Sequence, residues 1–289
     1  MTTTTLNAKL GGSFALGGDL TVNRLGFGAM RITGEGIWGE PKDANTAKKV
    51  LIRAVELGVN FIDTADSYGP EVSERLIGEA LAPYAPGVVI ATKAGLTRQG
   101  PNKWLPVGRP EYLVQQVEMS LRRLKLDHID LWQLHRIDAK VPVEESLGAI
   151  KKLQAEGKIR HVGLSEVTPA EIDKARKTVE IVSVQNRYNI GDRAHEDVVD
   201  YCTRHNIAFI PWFPVAAGKL AQPGGKLDAV AKEHGATVSQ LSLAWLLRRS
   251  PVMLPIPGTS SVAHLEENVA AVEVDLSDSE WQEIEDAAK

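Results

Sequence analysis

Residues 128–165 read HIDLWQLHRIDAKVPVEESLGAIKKLQAEGKIRHVGLS and hold one repeat of the fold. HIDLWQLH is a short, largely apolar run of strand length. VEESLGAIKKLQAEG carries apolar residues at helical spacing and stops at Gly157, and IRHVGLS is a second strand. Strand, helix, strand in that order makes the two strands parallel.

The same unit recurs in both directions. Toward the N-terminus, VVIATK (88–93) precedes a helix at 110–126, and VNFID (59–63) precedes a helix at 72–82. A strand near Arg24 to Gly28 precedes a helix at 44–57 that Gly58 stops. Toward the C-terminus, TPAEIDKARK opens on Thr168 as N-cap, with Pro169 at the first helical position and Glu171 placed to complete a capping box. IVSVQ (181–185) and IAFIPW (207–212) are strands with a helix at 195–205 between them. A helix at 237–249, a strand VMLPIP (252–257) and a helix at 261–270 follow. Eight strands, each followed by a helix and with no linker between units, predict an α/β chain, a single closed (β/α)8 TIM barrel domain over 1–289. SFALGGDLTVNRLGFG predicts a hairpin leading into strand one. LSDSEWQEIEDAAK, with Ser277 and Glu280 as a second capping box, predicts an extra C-terminal helix. GFGAM has two glycines but no third and opens no helix, so a dinucleotide-binding open sheet is disfavoured.

Composition narrows the function classes. A formal charge of −4 speaks against electrostatic binding of nucleic acid. The lone Cys202 excludes an intramolecular disulfide framework and a multi-cysteine metal site, so a reducing, cytoplasmic setting is the default expectation. The start, MTTTTLNAKLGG, lacks the pattern of a signal peptide, and no apolar stretch is long enough to span a membrane.

In such barrels the chemistry sits at the C-terminal ends of the strands. Those ends supply Asp63 with Tyr68 in the following loop, Lys93, His135, Ser165 with Glu166, Gln185 and Trp212. Each has a plain alternative: a loop cap, a rim lysine, a satisfied core histidine, an aromatic lid. Together, Asp63 and Lys93 make sense as a buried pair, because either charge alone is costly to bury. An ammonium beside a phenol lowers its pKa, so Lys93 is expected to tune Tyr68 as a proton donor, with His135 holding the substrate oxygen.

GFGAM, FIDTADSYG, VVIATK, DLWQLHR, VGLS and IPGTSS…EEN occur in order, and the chain resembles the aldo-keto reductase family over almost its whole length. The resemblance implies that Tyr68, Lys93, Asp63 and His135 form the catalytic tetrad. It implies reversible, metal-free, NADPH-dependent reduction of an aldehyde or ketone, with NADH as a second possible cofactor. Ser165 and Gln185 match positions that hold the nicotinamide carboxamide, and Trp212 one that stacks on the ring. Phe213, Pro214, Val215, Gly218 and Lys219 lie in the stretch expected along ribose and pyrophosphate. Gly28, Met30, Asp63 and Ile256 belong to the same cofactor strip, and Gly258, Thr259, Ser260, His264, Glu267 and Asn268 match the adenosine end. Trp38 and Trp104, in loops after strands one and three, are expected to wall the substrate pocket with Tyr68 and His135.

Two positions depart from the family pattern. Glu166 stands where GLSN would place an asparagine, and no Arg or Lys is visible at the 2′-phosphate end. VNRLGFGAM, GPEVSERLI and SVQNRYNI look most like a bacterial subgroup that includes pyridoxal reductases, which makes pyridoxal the first substrate to consider. The expected partner is a small carbonyl compound, the expected state a monomer or weak homo-oligomer. Two rivals remain at this stage. One is an NADPH-binding regulatory subunit with little turnover, like potassium-channel β-subunits. The other is a barrel hydrolase with paired carboxylates, which leaves Lys93 and Tyr68 unexplained.

Overall fold

The computed structural model describes residues 6–215 and 226–288. The hairpin forms from β1 (Ser13–Leu16) and β2 (Leu20–Asn23), paired antiparallel. Its turn lies against β9 (Ile159–Ser165), where the His161 ring meets Asp19 Oδ1 at 2.7 Å.

The main sheet contains β3 (Phe27–Gly28), β4 (Phe61–Asp63), β5 (Val89–Ala94), β8 (Ile129–Leu134), β9, β10 (Ser183–Gln185) and β11 (Ala208–Phe209), parallel throughout and in that spatial order. The segment 252–257, expected as a regular eighth strand, closes the cylinder without being one. On one side Phe209 N donates to Val252 O at 2.9 Å and Leu254 N to Phe209 O at 2.8 Å. On the other, Gly26 N donates to Pro255 O at 2.9 Å and Gly28 N to Pro257 O at 3.3 Å. Pro255 and Pro257 have no N–H, so this edge accepts from β3 and donates nothing at those positions. The approach is close. A Cβ at Gly28 would meet Ile256 O at 2.6 Å, and one at Gly258 would meet Gly28 O at 2.5 Å. Gly258, matched above to the adenosine end, is already required by the barrel's own closure.

Helices α1 (Ala44–Glu56), α2 (Val72–Leu81), α3 (Pro110–Leu124), α4 (Val143–Ala155), α5 (Pro169–Arg176) and α6 (Glu196–His205) occupy the expected crossovers, as do α8 (Val238–Arg249) and α9 (Val262–Ala270). The capping box of α5 is present on both sides, Glu171 N to Thr168 Oγ1 and Thr168 N to Glu171 Oε2. The extra C-terminal helix is α10 (Asp278–Ala288), with Ser277 and Glu280 capping it reciprocally. Besides short 3-10 turns, the sequence reading did not show α7 (Lys226–Glu233) or a two-stranded ribbon of β6 (Leu96–Arg98) and β7 (Trp104–Pro106). The ribbon is too short to show periodicity. The apolar core lies in the helix–sheet layer, with Trp132 and Trp245 fully buried in it. Among the described residues no helix is long and apolar enough to cross a membrane, and no group of three or more metal-ligating side chains converges.

Candidate active site

β4, β5 and β8 are neighbours, so their C-terminal ends bring Asp63, Lys93, Gln133 and His135 to one place. Lys93 Nζ donates to Asp63 Oδ1 at 2.6 Å and to Thr64 O at 2.7 Å, and the two side chains are 0% and 2% exposed. Asp63 Oδ2 accepts from Gln133 Nε2 at 3.1 Å and Gln185 Nε2 at 2.8 Å. The pair is thus buried, short and saturated, the condition under which burying two charges is tolerable. Burial pulls Lys93 below the ordinary lysine value, against the upward pull of Asp63.

Tyr68 lies above this pair, with Lys93 Nζ 5.2 Å from its ring centre. The His135 ring is 5.8 Å away at 80°, and Ser67 Oγ lies 3.3 Å from His135 Nδ1. Burial, then the charges of Lys93, Arg136 and Arg98, holds His135 well below the usual histidine range, so the imidazole is neutral. Tyr68 runs opposite to expectation. Burial, and then Asp63, push the phenol above its ordinary value, while Arg136 and Arg98 pull it back. Burial is the larger cause, and Lys93 does little to offset it because its charge is matched by a carboxylate 2.6 Å away.

The strip running from this cluster has the donor set a nicotinamide carboxamide needs. Ser165 and Gln185 are register partners on β9 and β10. Ser165 Oγ accepts from Arg136 at 3.0 Å, which leaves its own proton to give. Gln185 spends its amino group on Asp63, which leaves its carbonyl to accept. Trp212, half-buried, follows β11, and its indole N–H donates to Glu166 Oε1, which also accepts from Arg187 N at 2.7 Å. Glu166 adopts φ +55°, the left-handed region in which asparagine is at home. Its other oxygen, Oε2, lies 3.8 Å from His195 Nε2, so the carboxylate sits between that ring and the indole edge that it fixes.

Phe213 and Val215 are exposed and Pro214 is buried beyond Trp212, while Gly218 and Lys219 lie outside the described residues. At the far end Ile256 and Thr259 are buried, and Ser260 and His264 are exposed at the start of α9, with Asn268 half-buried on the same helix. Ser261 caps α9 through His264 N, and among the described residues no side chain caps the N–H groups of Val262 and Ala263, the usual cradle for an anion. Glu267 is otherwise engaged: its Oε1 accepts from Thr237 Oγ1 at 2.8 Å, bracing the start of α8.

The sequence reading missed three arginines. Arg136 holds Ser165. Arg98 lies over Trp104. Arg31, exposed in the turn after β3 beside Met30, has its Cγ 3.5 Å from the Gly258 Cβ position, so the stem of an arginine lies beside an end where the sequence reading found no cation. The closing contact of strand one with segment 252–257 was the signal that could have placed it. Of the pocket tryptophans, Trp104 meets Tyr68 edge-on at 6.4 Å and His135 at 6.3 Å, and Trp38 stands with a third of its surface exposed at the rim.

A closed barrel with a saturated Lys–carboxylate pair beneath a phenol and a neutral imidazole is the architecture of a carbonyl oxidoreductase. Residues 24–289 match the aldo/keto reductase family model, and the chain belongs to that family. An uncharacterized oxidoreductase of Schizosaccharomyces pombe is 56% identical over 94% of this chain and 89% of its own length. Pyridoxine 4-dehydrogenase of Escherichia coli is 45% identical over 90% of this chain and 93% of its own. Among solved structures, an aldo-keto reductase from Klebsiella pneumoniae in complex with NADPH superimposes with a TM-score of 0.81 at 25% identity, covering 95% of this chain and 94% of the other.

Proposed function

We propose that this protein catalyses reversible, NADPH-dependent reduction of an aldehyde or ketone to an alcohol, with pyridoxal as its first candidate substrate. The observation that carries the reading is the buried Lys93–Asp63 pair beneath Tyr68, flanked by an uncharged His135. The likeness to pyridoxine 4-dehydrogenase supports the choice of substrate, and the NADPH complex of the structural relative supports the choice of cofactor.

A nicotinamide held by Ser165, Gln185 and Trp212 would supply the hydride. The protein supplies the proton. His135, neutral, can donate a hydrogen bond to the carbonyl oxygen and fix it beside Tyr68. As negative charge builds on that oxygen, it becomes far more basic than a phenolate. Even a phenol with a raised pKa therefore gives up its proton at that moment and not before. The phenolate left behind is stabilised by the positive charges of Arg136 and Arg98, with the paired Lys93 beneath its ring. Asp63, Gln133 and Gln185 keep Lys93 from swinging away. A role in binding alone would not call for so costly a buried arrangement.

The test is turnover of an aldehyde panel that includes pyridoxal, with NADPH and NADH, followed by loss of cofactor absorbance. NADPH oxidation that requires both an aldehyde and an intact Tyr68 supports the reading. Tight NADPH binding without turnover of any carbonyl would favour a regulatory subunit.

A further inference from the structure

Arg98 ends β6, and each of its five N–H groups meets a main-chain carbonyl. Nε donates to Lys103 O at 3.1 Å. Nη1 donates to Ile37 O at 2.7 Å and Ser67 O at 2.8 Å. Nη2 donates to Gly36 O at 3.0 Å and Gly100 O at 3.4 Å. Among the described residues no carboxylate forms an ion pair with it. The guanidinium also lies 3.6 Å from the centre of the Trp104 ring and 5.6 Å from that of Trp38. Arg98 and Trp104 are cross-strand partners in the ribbon, so the stacking follows from the register.

Three separate loops converge on this one side chain: the 34–39 turn, the Ser67 carbonyl immediately before Tyr68, and the 99–104 tip of the ribbon. The 34–39 turn is strained. Gly36 and Ile37 both have positive φ, +67° and +55°, and a β-branched residue there is an outlier. A Cβ at Gly36 would sit 2.8 Å from Pro101, so the turn is pressed against the ribbon. The Ile37 carbonyl that Arg98 holds also accepts from Gly69 N at 3.3 Å, just past Tyr68.

We infer that Arg98 is a positioning and specificity-determining residue: it ties the three loops into one rigid wall that presents the flat ring of Trp104 beside Tyr68 and His135 and so selects planar aromatic carbonyl substrates. This rests on the proposed reduction. It deepens that reading by assigning the substrate class to a wall the arginine holds in place. Arg98 spends all five donors on the protein and has none for the substrate, so it acts through Trp104 and not by direct contact. Lysine, with three donors and no plane, cannot replace it.

The test compares wild type, Arg98→Met, Arg98→Lys, Trp104→Leu and the double variant on benzaldehyde and butyraldehyde with saturating NADPH. Arg98→Met is expected to raise KM for benzaldehyde by about tenfold, more than it lowers kcat, with a much smaller change for butyraldehyde and an unchanged NADPH dissociation constant. Arg98→Lys should not restore the preference. Adding Arg98→Met to Trp104→Leu should change KM little further, because both act through one wall. Amide exchange of wild type and Arg98→Met, measured without substrate, is the second arm: exchange should quicken most in 34–39 and 99–106, with any further change confined to the 67–69 segment that Arg98 also holds. Additive effects on KM, an unchanged aromatic preference, or unchanged exchange in those two segments would overturn the inference. A wild type that turns over no aldehyde counts against the proposed reaction, and the exchange arm still decides the clamp.

Discussion

Lys93→Met gives the sharpest test of the buried pair. The substitution keeps side-chain length and removes the one cation that, among the described residues, pairs with Asp63, leaving the carboxylate with Gln133 and Gln185 as donors. Breaking a buried ion pair from one side costs about 3–5 kcal/mol, since the remaining charge stays desolvated. Two amide donors remain, so the low end applies, about 3 kcal/mol, which lowers Tm by roughly 6–12 °C in a chain of this size. Asp63→Asn should cost a similar amount, because Lys93 would keep only Thr64 O as a firm acceptor. The double variant replaces both charges by neutral groups of nearly the same shape and should lose only about 1–2 kcal/mol. Urea unfolding of all four proteins at neutral pH, read by circular dichroism, measures the coupling, which should exceed about 2 kcal/mol. Strict additivity would refute the reasoning, for it would mean that neither charge depends on the other.

Three further outcomes follow from the site and its surroundings. Tyr68→Phe should lower kcat by about 10²–10⁴ and leave NADPH affinity unchanged, while wild-type carbonyl reduction stays flat from about pH 6 to 9, since the Tyr68 value is raised and the His135 value lowered away from that window; a bell-shaped kcat profile in single-turnover measurements would contradict it. Glu166→Gln keeps an acceptor for the Trp212 indole and should preserve cofactor binding, whereas Glu166→Ala should weaken NADPH and NADP⁺ alike; a selective effect on one redox form, measured by fluorescence titration, would mean that charge and not indole anchoring matters. Glu196, which burial would raise but hydrogen bonds from Arg193, Tyr188 and Arg249 hold at about 2, adds stability that is complete above its ordinary value of 4.5 and is lost as pH falls toward 2. With partial solvent screening that contribution is about 2 kcal/mol, so Glu196→Gln should lower stability at pH 7 and flatten the acid limb of a urea-unfolding series, and an unchanged acid limb would refute the assignment.

The parts of the fold legible in the sequence were those with strong local grammar. The capping boxes at Thr168 and Ser277 mark helix starts by short-range chemistry alone, and both formed as read. Segment 252–257 looked like a strand because it is apolar, but its prolines decide its pairing, and that depends on which neighbour needs a donor. The residues that lie together at the strand ends were legible because barrel topology puts every such end at one mouth. The direction of the Tyr68 shift was not, because it turns on how deeply the folded chain buries the phenol and on Lys93 being already matched by Asp63, neither of which the sequence shows. Arg98 was invisible for the same reason. Its partners are main-chain carbonyls, and these carry no sequence signal.

The closure at segment 252–257 also divides the cylinder mechanically. Lys93, Asp63 and His135 stand on or beside β4, β5 and β8, strands laddered on both sides. The turn from Gly258 to Ser261, by contrast, hangs from a seam in which two prolines leave gaps in the ladder. Fewer hydrogen bonds can cross that seam where the prolines stand, so the half of the mouth nearest α9 is expected to yield before the half that handles the proton. A long ligand laid across both would be gripped hard at one end and accommodated at the other. Amide exchange along Gly26 and Gly28 would then be the first in the cylinder to quicken on warming, ahead of any change on β5 or β8.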